Sequence, residues 1–294
     1  MPIHAPERSQ SAYTPTTQFY RELRPTTPHI RAEHWSLFIT AGRAVPLVLS
    51  YPDLLQLPAT SLDSTLVSIG QRAGGEQMGH ARWRGVPLRL LLDELGADTR
   101  FAHSLITSAD GRSSALRREQ LAGGLLAYMI NDEPLPVTLG FPARLIVPGL
   151  YDYKMPGWVT KIELSERPTS GFWEARGWST SGEVRTFSTI ETPHPGEKVR
   201  TAVQFSGIAY AGMRRIARVE ISVDEGDWTE ITFDAGEPGG WSHWAFDWHA
   251  PAPGVYSLRV RATDESGETQ TEGAPDQPFP NGSSAIHRIV FEVI

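Results

Sequence analysis

The sequence predicts an α+β half followed by an immunoglobulin-like β-sandwich, and three observations carry that reading. From Trp35 to about Leu164, short β-rich runs alternate with a few helical ones. From about Pro193 the pattern becomes a two-residue alternation of apolar and polar residues with no strong helix, as in strands that bury one face. A length of 294 residues suits two domains, each large enough to bury its own core. The expected divisions are an irregular arm over 1–30, a first domain over 31–188 and a second over 189–294.

Residues 1 to about 30 are rich in Pro and Thr, an irregular arm suited to wrapping a surface. Ser36-Leu37-Phe38-Ile39 and Thr65-Leu66-Val67-Ser68 read as strands. Leu88, Leu91, Leu92 and Leu95 fall at helical spacing, and Gly96 stops that helix. Ala143 to Val147, set between Gly140-Phe141-Pro142 and Pro148-Gly149, reads as a buried strand. Residues 165 to about 192 connect the halves. Beyond them, the runs 198–205, 217–223, 256–261 and 286–293 alternate apolar with polar residues. Asp224-Glu225-Gly226-Asp227 predicts a hairpin turn, with Trp228 opening the return strand. Strands at this spacing indicate the sandwich.

A net charge of -7 argues against nucleic acid or an anionic membrane as a main partner. No run approaches the length of a membrane span. The residues Met1-Pro2-Ile3-His4-Ala5-Pro6-Glu7-Arg8 hold no apolar core and read as a polar tail rather than a signal peptide, so a cytoplasmic location is expected. With no cysteine, disulfides, zinc–thiolate sites and iron–sulfur ligation are excluded. His29, His34 and His80 match no common ligand spacing and read as surface or capping histidines. Trp241, Trp244 and Trp248 read as core packing rather than a binding platform, and Gly74-Gly75 as a turn.

Several segments, taken in order, resemble one family. They are Thr65-Leu66-Val67-Ser68-Ile69-Gly70-Gln71-Arg72, then Trp83-Arg84-Gly85-Val86-Pro87-Leu88, then Leu126 to Pro136, Gly140 to Gly149 and Trp158 to Ile162. Further on, Gly207 to Asp224 and Arg261 to Gln270 continue the likeness. From about Thr17 onward the chain is similar to the sulfite oxidase family of molybdopterin enzymes. The resemblance implies a sulfite-oxidase-like molybdopterin-binding domain and a dimerisation domain. It also implies a homodimer through the C-terminal domain and, where the family's activity is kept, a molybdenum–molybdopterin cofactor.

The residues to which the resemblance assigns chemistry differ from the family pattern. Ser68 stands where the family's metal-ligating Cys belongs. Arg21, 47 residues before Ser68, matches the Arg of the family's F-x-V-R-N-H segment, but Glu22 and Leu23 replace its Asn and His. Thr138-Leu139 replaces the Asp-His before Gly-Phe-Pro, and Gly157 replaces the Lys of V-K-W. Gln71, Arg72 and Arg144 complete the implied cofactor positions, and Arg21, Arg72 and Trp178 the substrate or anion pocket.

A serine alkoxide can ligate molybdenum, so the change at 68 alone does not exclude the metal; it replaces a soft thiolate by a hard oxygen. The pterin side is a larger loss, because a phosphate dianion is held by charge-assisted hydrogen bonds that Leu23, Leu139 and Gly157 cannot make. The expectation is a cofactor-free, non-catalytic homodimer. Two alternatives stand beside it: an active molybdopterin oxidoreductase with Ser68 on the metal, and a small-oxyanion binding protein using the vacated pocket.

Overall fold

The structure, a computed structural model, describes residues 13–21, 26–272 and 277–294. It is mostly β, and the helices are short: Tyr51–Gln56, Leu88–Glu94 and Arg118–Ala122. These three helices lie in the first half, as few as the sequence pattern suggested, and the leucine-rich run from Leu88 is one of them; the fold is nonetheless more β than an even α+β mixture. Among the described residues no helix is long and apolar enough to cross a membrane.

The chain forms two compact units, one of residues 13–69 and 78–183, the other of residues 70–77 and 184–294. In the first, one sheet runs Leu47–Ser50, Ser36–Ala41, Val159–Ser165, His103–Ser108, Ser113–Arg117. A second runs Thr60–Val67, Met78–Pro87, Leu125–Ile130, Glu133–Pro134, with Arg144–Ile146 also paired to Leu125–Ile130. Strand Leu125–Ile130 is buried at five of its six positions, the signature of a strand covered on both sides rather than half-solvated. Helix Leu88–Glu94 buries Leu88, Leu91 and Leu92 as their spacing requires, and Gly96 ends it at φ 61°. Helix Tyr51–Gln56 is opened by a reciprocal cap: Asp53 N–H donates to Ser50 Oγ at 3.3 Å and Ser50 N–H to Asp53 Oδ2 at 2.9 Å.

In the second unit, two sheets enclose one core. One orders Phe187–Thr192, Ala202–Tyr210, Ser242–His249, Phe233–Asp234; the other orders Lys198–Val199, His287–Val293, Gly254–Asp264, Ile216–Val223, Thr229–Ile231. Phe205 and Trp244 from the first meet Val219, Leu258, Val260 and Phe291 from the second. Trp248 packs on Phe205, Tyr256 and Phe291, so Trp244 and Trp248 are packing residues. The turn after Ile216–Val223 holds Asp224 and Glu225 at φ 49° and 60°, the twist a tight hairpin needs. The return strand starts at Thr229, one residue past Trp228. Residues 70–77 are pinned by Gln71, whose Oε1 accepts from Gln77 N–H at 2.7 Å and whose amide donates to Gly75 O. Gly74 sits at φ 72° against His287, where an added Cβ would lie 2.1 Å from Nε2. Only glycine fits that turn.

Candidate functional site

The arm residues that precede the first strand are drawn onto strand Met78–Pro87. Thr14 N–H donates to His80 O at 2.8 Å, His80 N–H returns to Thr14 Oγ1 at 3.1 Å, and Asn131 Nδ2 donates to Thr14 O at 2.9 Å. Phe19 is 2% exposed and meets Trp83 edge-on at 5.7 Å. It fits because Gly79 beneath it has no side chain; a Cβ there would lie 2.7 Å from the Phe19 ring. This anchoring fixes Tyr20 and Arg21 at the mouth of a cavity of about 20 Å³, room for about one water.

The rest of the wall comes from four further segments. Leu66 faces in from Thr60–Val67, Thr138 and Leu139 from the turn Val137–Leu139, Arg144 from Arg144–Ile146, and Asp152 with Trp158 from the buried run between them. Arg144 is 8% exposed and Asp152 7%; Arg144 Nη1 donates to Leu139 O at 3.2 Å. Trp158 holds φ 52°, a strained setting for a bulky residue. Its neighbours over-determine it: its N–H donates to Gly140 O at 2.8 Å, its O accepts from Ala109 N–H at 2.9 Å, and its indole donates to Val137 O at 3.0 Å.

Of the residues the sequence singled out, Arg21, Leu139 and Arg144 line this one cavity. Ser68 follows directly on the strand that supplies Leu66 and is half-buried. Gly157 is packed Cα to Cα against Gly140; a Cβ on Gly157 would lie 2.5 Å from Gly140 Cα, and one on Gly140 2.6 Å from Gly157 Cα. Gln71 and the exposed Arg72 belong to the other compact unit. Trp178 stacks on Trp173 at 4.1 Å and meets Tyr153 edge-on at 5.1 Å, and it is not among the residues that line the cavity. Glu22 and Leu23 lie outside the described residues. His80 bonds Thr65 Oγ1 at 3.0 Å and stacks on Tyr13, while His29 and His34 are exposed.

The cavity contains one charged group that the sequence reading passed over, Asp152. Asp152 and Lys154 are the two charges inside the continuously buried stretch 149–159, where charged residues are rare unless paired, and that burial is a fact of the fold rather than of the local sequence. Among the described residues, the wall is a poor match for a pterin phosphate. Arg21 and Arg144 suit an anion, but Asp152 sets a carboxylate among them, Leu139 presents hydrocarbon, and the Gly140–Gly157 contact leaves no place for a donor side chain. At the metal position, Ser68 offers a hydroxyl in place of a thiolate.

Comparison with known proteins adds to this geometry. Residues 24–173 match the model of the oxidoreductase molybdopterin binding domain, and residues 179–277 that of the Mo-co oxidoreductase dimerisation domain. Mitochondrial sulfite oxidase of Drosophila melanogaster is 28% identical over 80% of this chain and 50% of its own length. Inducible NADH nitrate reductase 2 of Glycine max is 27% identical over 88% of this chain and 37% of its own. The chain thus spans half or less of these relatives. The sulfane dehydrogenase SoxCD from Paracoccus pantotrophus superposes with a TM-score of 0.83 at 21% identity, over 98% of this chain and 85% of that one, a likeness of fold.

Proposed function

The chain belongs to the sulfite oxidase family, and from that premise we propose that it is a cofactor-free, non-catalytic member, a homodimeric binding or structural module on an oxidoreductase scaffold. The observation that carries this reading is the Gly140–Gly157 contact, with its 2.5 Å Cβ clearance, beside the apolar Leu139 and a cavity of about 20 Å³. A donor cannot be supplied at 157 without moving the backbone of 140. Losing three or four charge-assisted contacts, at about 1.5–3 kcal/mol each, lowers cofactor affinity by several orders of magnitude. The match of residues 179–277 to a dimerisation domain supports a homodimer through the C-terminal unit, whose two sheets suit an immunoglobulin-like sandwich.

The test is pterin fluorescence after oxidative release, with molybdenum analysis and sulfite turnover on an artificial acceptor, in protein made by a host that supplies the cofactor. Neither pterin nor molybdenum is expected at stoichiometric level, and Ser68→Cys is expected to restore no turnover. Stoichiometric pterin, or a rescued single variant, overturns the reading.

Stoichiometric pterin and molybdenum in the parent would favour a second reading, a molybdopterin oxidoreductase with Ser68 on the metal. What supports it is the place of Ser68, half-buried at the end of strand Thr60–Val67 rather than sealed in the core. Arg21 and Arg144 would then hold the cofactor's anionic end, and the group would supply two-electron redox chemistry of the kind the names of the relatives imply.

A further inference from the structure

Strand His287–Val293 carries apolar residues on both faces. Ile289, Phe291 and Val293 bury in the core of the C-terminal unit. Arg288, Val290 and Glu292 point the other way, and Ile286 and Ile294 continue that alternation at the two ends. The outward row therefore reads apolar, positive, apolar, negative, apolar, and reversing it exchanges only the two charges. Val290 is 47% exposed and Ile294 62%, and Val255, opposite Glu292 on the neighbouring strand, is 70% exposed. Aliphatic side chains gathered on a solvated sheet face mark a contact surface. Each charge in the row has a neighbour in its own chain, Arg288 with Glu225 at 3.1 Å and Glu292 with Lys198 at 3.0 Å. These pairs are exposed, contribute little to the fold and can take new partners.

The order of the charges says which partner fits. Two copies of one sheet can pack face to face about a two-fold axis lying between them. With that axis across the strands, along the row where Val290 pairs with Ser257, the strand is overlaid by its own copy running in reverse, and opposite charges coincide. With the axis along the strands, like charges would coincide. We infer that this outward face is the centre of the homodimer contact: Val290 meets Val290 of the partner subunit, Arg288 meets the partner's Glu292, and Ile286 meets the partner's Ile294. The aliphatic residues form the dry centre and the charges fix the register. The inference rests on the homodimer reading above, to which the match of residues 179–277 to a dimerisation domain contributes, and it names the surface.

The experiment measures the dimer dissociation constant of the full chain by sedimentation at low salt, in the parent, Val290→Lys, Arg288→Glu, Glu292→Arg, and the double variant Arg288→Glu with Glu292→Arg. Val290→Lys should weaken the dimer at least about a hundredfold, since it sets two ammonium groups in the apolar centre. Arg288→Glu and Glu292→Arg should each weaken it at least about tenfold, because each places like charges opposite one another. The double variant should return to within about threefold of the parent. An equimolar mixture of the two single charge variants should dimerise as the double variant does, since every pair across that contact is again of opposite sign. Mixing cannot repair the pairs with Glu225 and Lys198, which lie within one chain, so rescue by mixing separates a contact between copies from a change within the fold. Should Val290→Lys not fold, the charge variants and their mixture decide. A dimer that ignores Val290→Lys, or single charge variants that neither the double variant nor mixing rescues, overturns the inference and leaves the homodimer reading standing. A parent that is monomeric at micromolar concentration overturns both.

Discussion

Asp152 and Lys154 lie two residues apart on the same one-turn helix, Asp152–Lys154, and both are buried, yet their charges meet different fates. Asp152 lines a cavity that it shares with two arginines. Lys154 is locked into the scaffold: its ammonium donates to Glu174 Oε1 at 2.6 Å, Thr180 O at 2.8 Å and Ala115 O at 2.9 Å. Glu174 Oε1 in turn accepts from Ala115 N–H at 3.1 Å. Ala115 lies on Ser113–Arg117, the outermost strand of its sheet, and Phe172 N–H donates to Ser113 O beside it at 2.8 Å. The ion pair and the segment around Phe172 therefore do the work of a missing neighbouring strand, satisfying an edge that would otherwise be open to foreign pairing. The contrast teaches that burial alone does not mark a functional charge. Lys154 has a partner for each of its three donors, while Asp152 contributes to a wall of mixed sign.

The sharpest way to break this comparison is to remove one charge from the scaffold pair. Lys154→Met should leave Glu174 buried, with the Oε2 atom already without a hydrogen-bond partner, and should cost about 3–5 kcal/mol in urea denaturation. The double variant Lys154→Met with Glu174→Leu should recover part of that loss. It should remain below the parent, because the N–H and C=O of Ala115 lose their partners at about 1–3 kcal/mol. A single-variant cost under about 1 kcal/mol would mean that water can replace the pair, and the distinction between 152 and 154 would lapse.

How much of this could be read from the sequence differs between fold and site for a physical reason. Periodicity reports on faces, so the helix stopped by Gly96, the strand around Leu145 and the alternating runs after Pro193 were visible before any coordinates. Resemblance placed Arg21, Leu139 and Arg144, and the structure brings those three to one cavity. Neither signal reaches across the chain to contacts between distant segments. Gly157 looked like a lost lysine; its packing against Gly140 shows that a side chain would not fit there. Asp152 and Tyr20 were invisible because what makes them notable is a shared wall assembled from residues far apart in sequence. The Lys154–Glu174 pair spans 20 residues and an unpaired strand edge, information that a local pattern does not contain.

A second test asks whether a fully donor-saturated carboxylate behaves like Lys154. In the C-terminal unit, Asp264 is 1% exposed and accepts from Thr186 Oγ1 at 2.5 Å, Ser266 Oγ at 2.6 Å, Arg214 Nε at 2.8 Å, and the N–H groups of Ser266 and Glu268 at 2.9 and 3.2 Å. Burial pushes its pKa up, but the hydrogen bonds from Ser266, Thr186 and Arg214 outweigh this and bring it from 3.8 to about 2. Because the folded value is depressed, the stabilisation is complete above the unfolded pKa and is lost as pH falls from about 5 toward 2, roughly 2 kcal/mol in all. Denaturation series across that range should show the loss, and Asp264→Asn should flatten it while lowering stability at neutral pH. An acid limb that is the same in both proteins would assign the pH dependence to other groups.

The smallest effect is expected where the same chemistry sits in water. Tyr13 Oη donates to Asp63 Oδ2 at 2.7 Å and accepts from Arg82 Nη2 at 2.6 Å, and Arg82 Nε reaches Asp63 Oδ1 at 3.2 Å. Arg82 and Asp63 have side chains 43% and 45% exposed, so solvent screens the pair. This cluster holds the start of the strap whose far end carries Tyr20 and Arg21 to the cavity, but Phe19, buried against Trp83, is the stronger anchor. Tyr13→Phe should therefore cost no more than about 1 kcal/mol. A double-mutant cycle with Asp63→Asn should give a coupling of only a few tenths of a kcal/mol, shrinking further in high salt. A coupling above about 1 kcal/mol would mean that the exposed cluster rather than Phe19 anchors the strap, and that burial has been given too much weight in ranking these contacts.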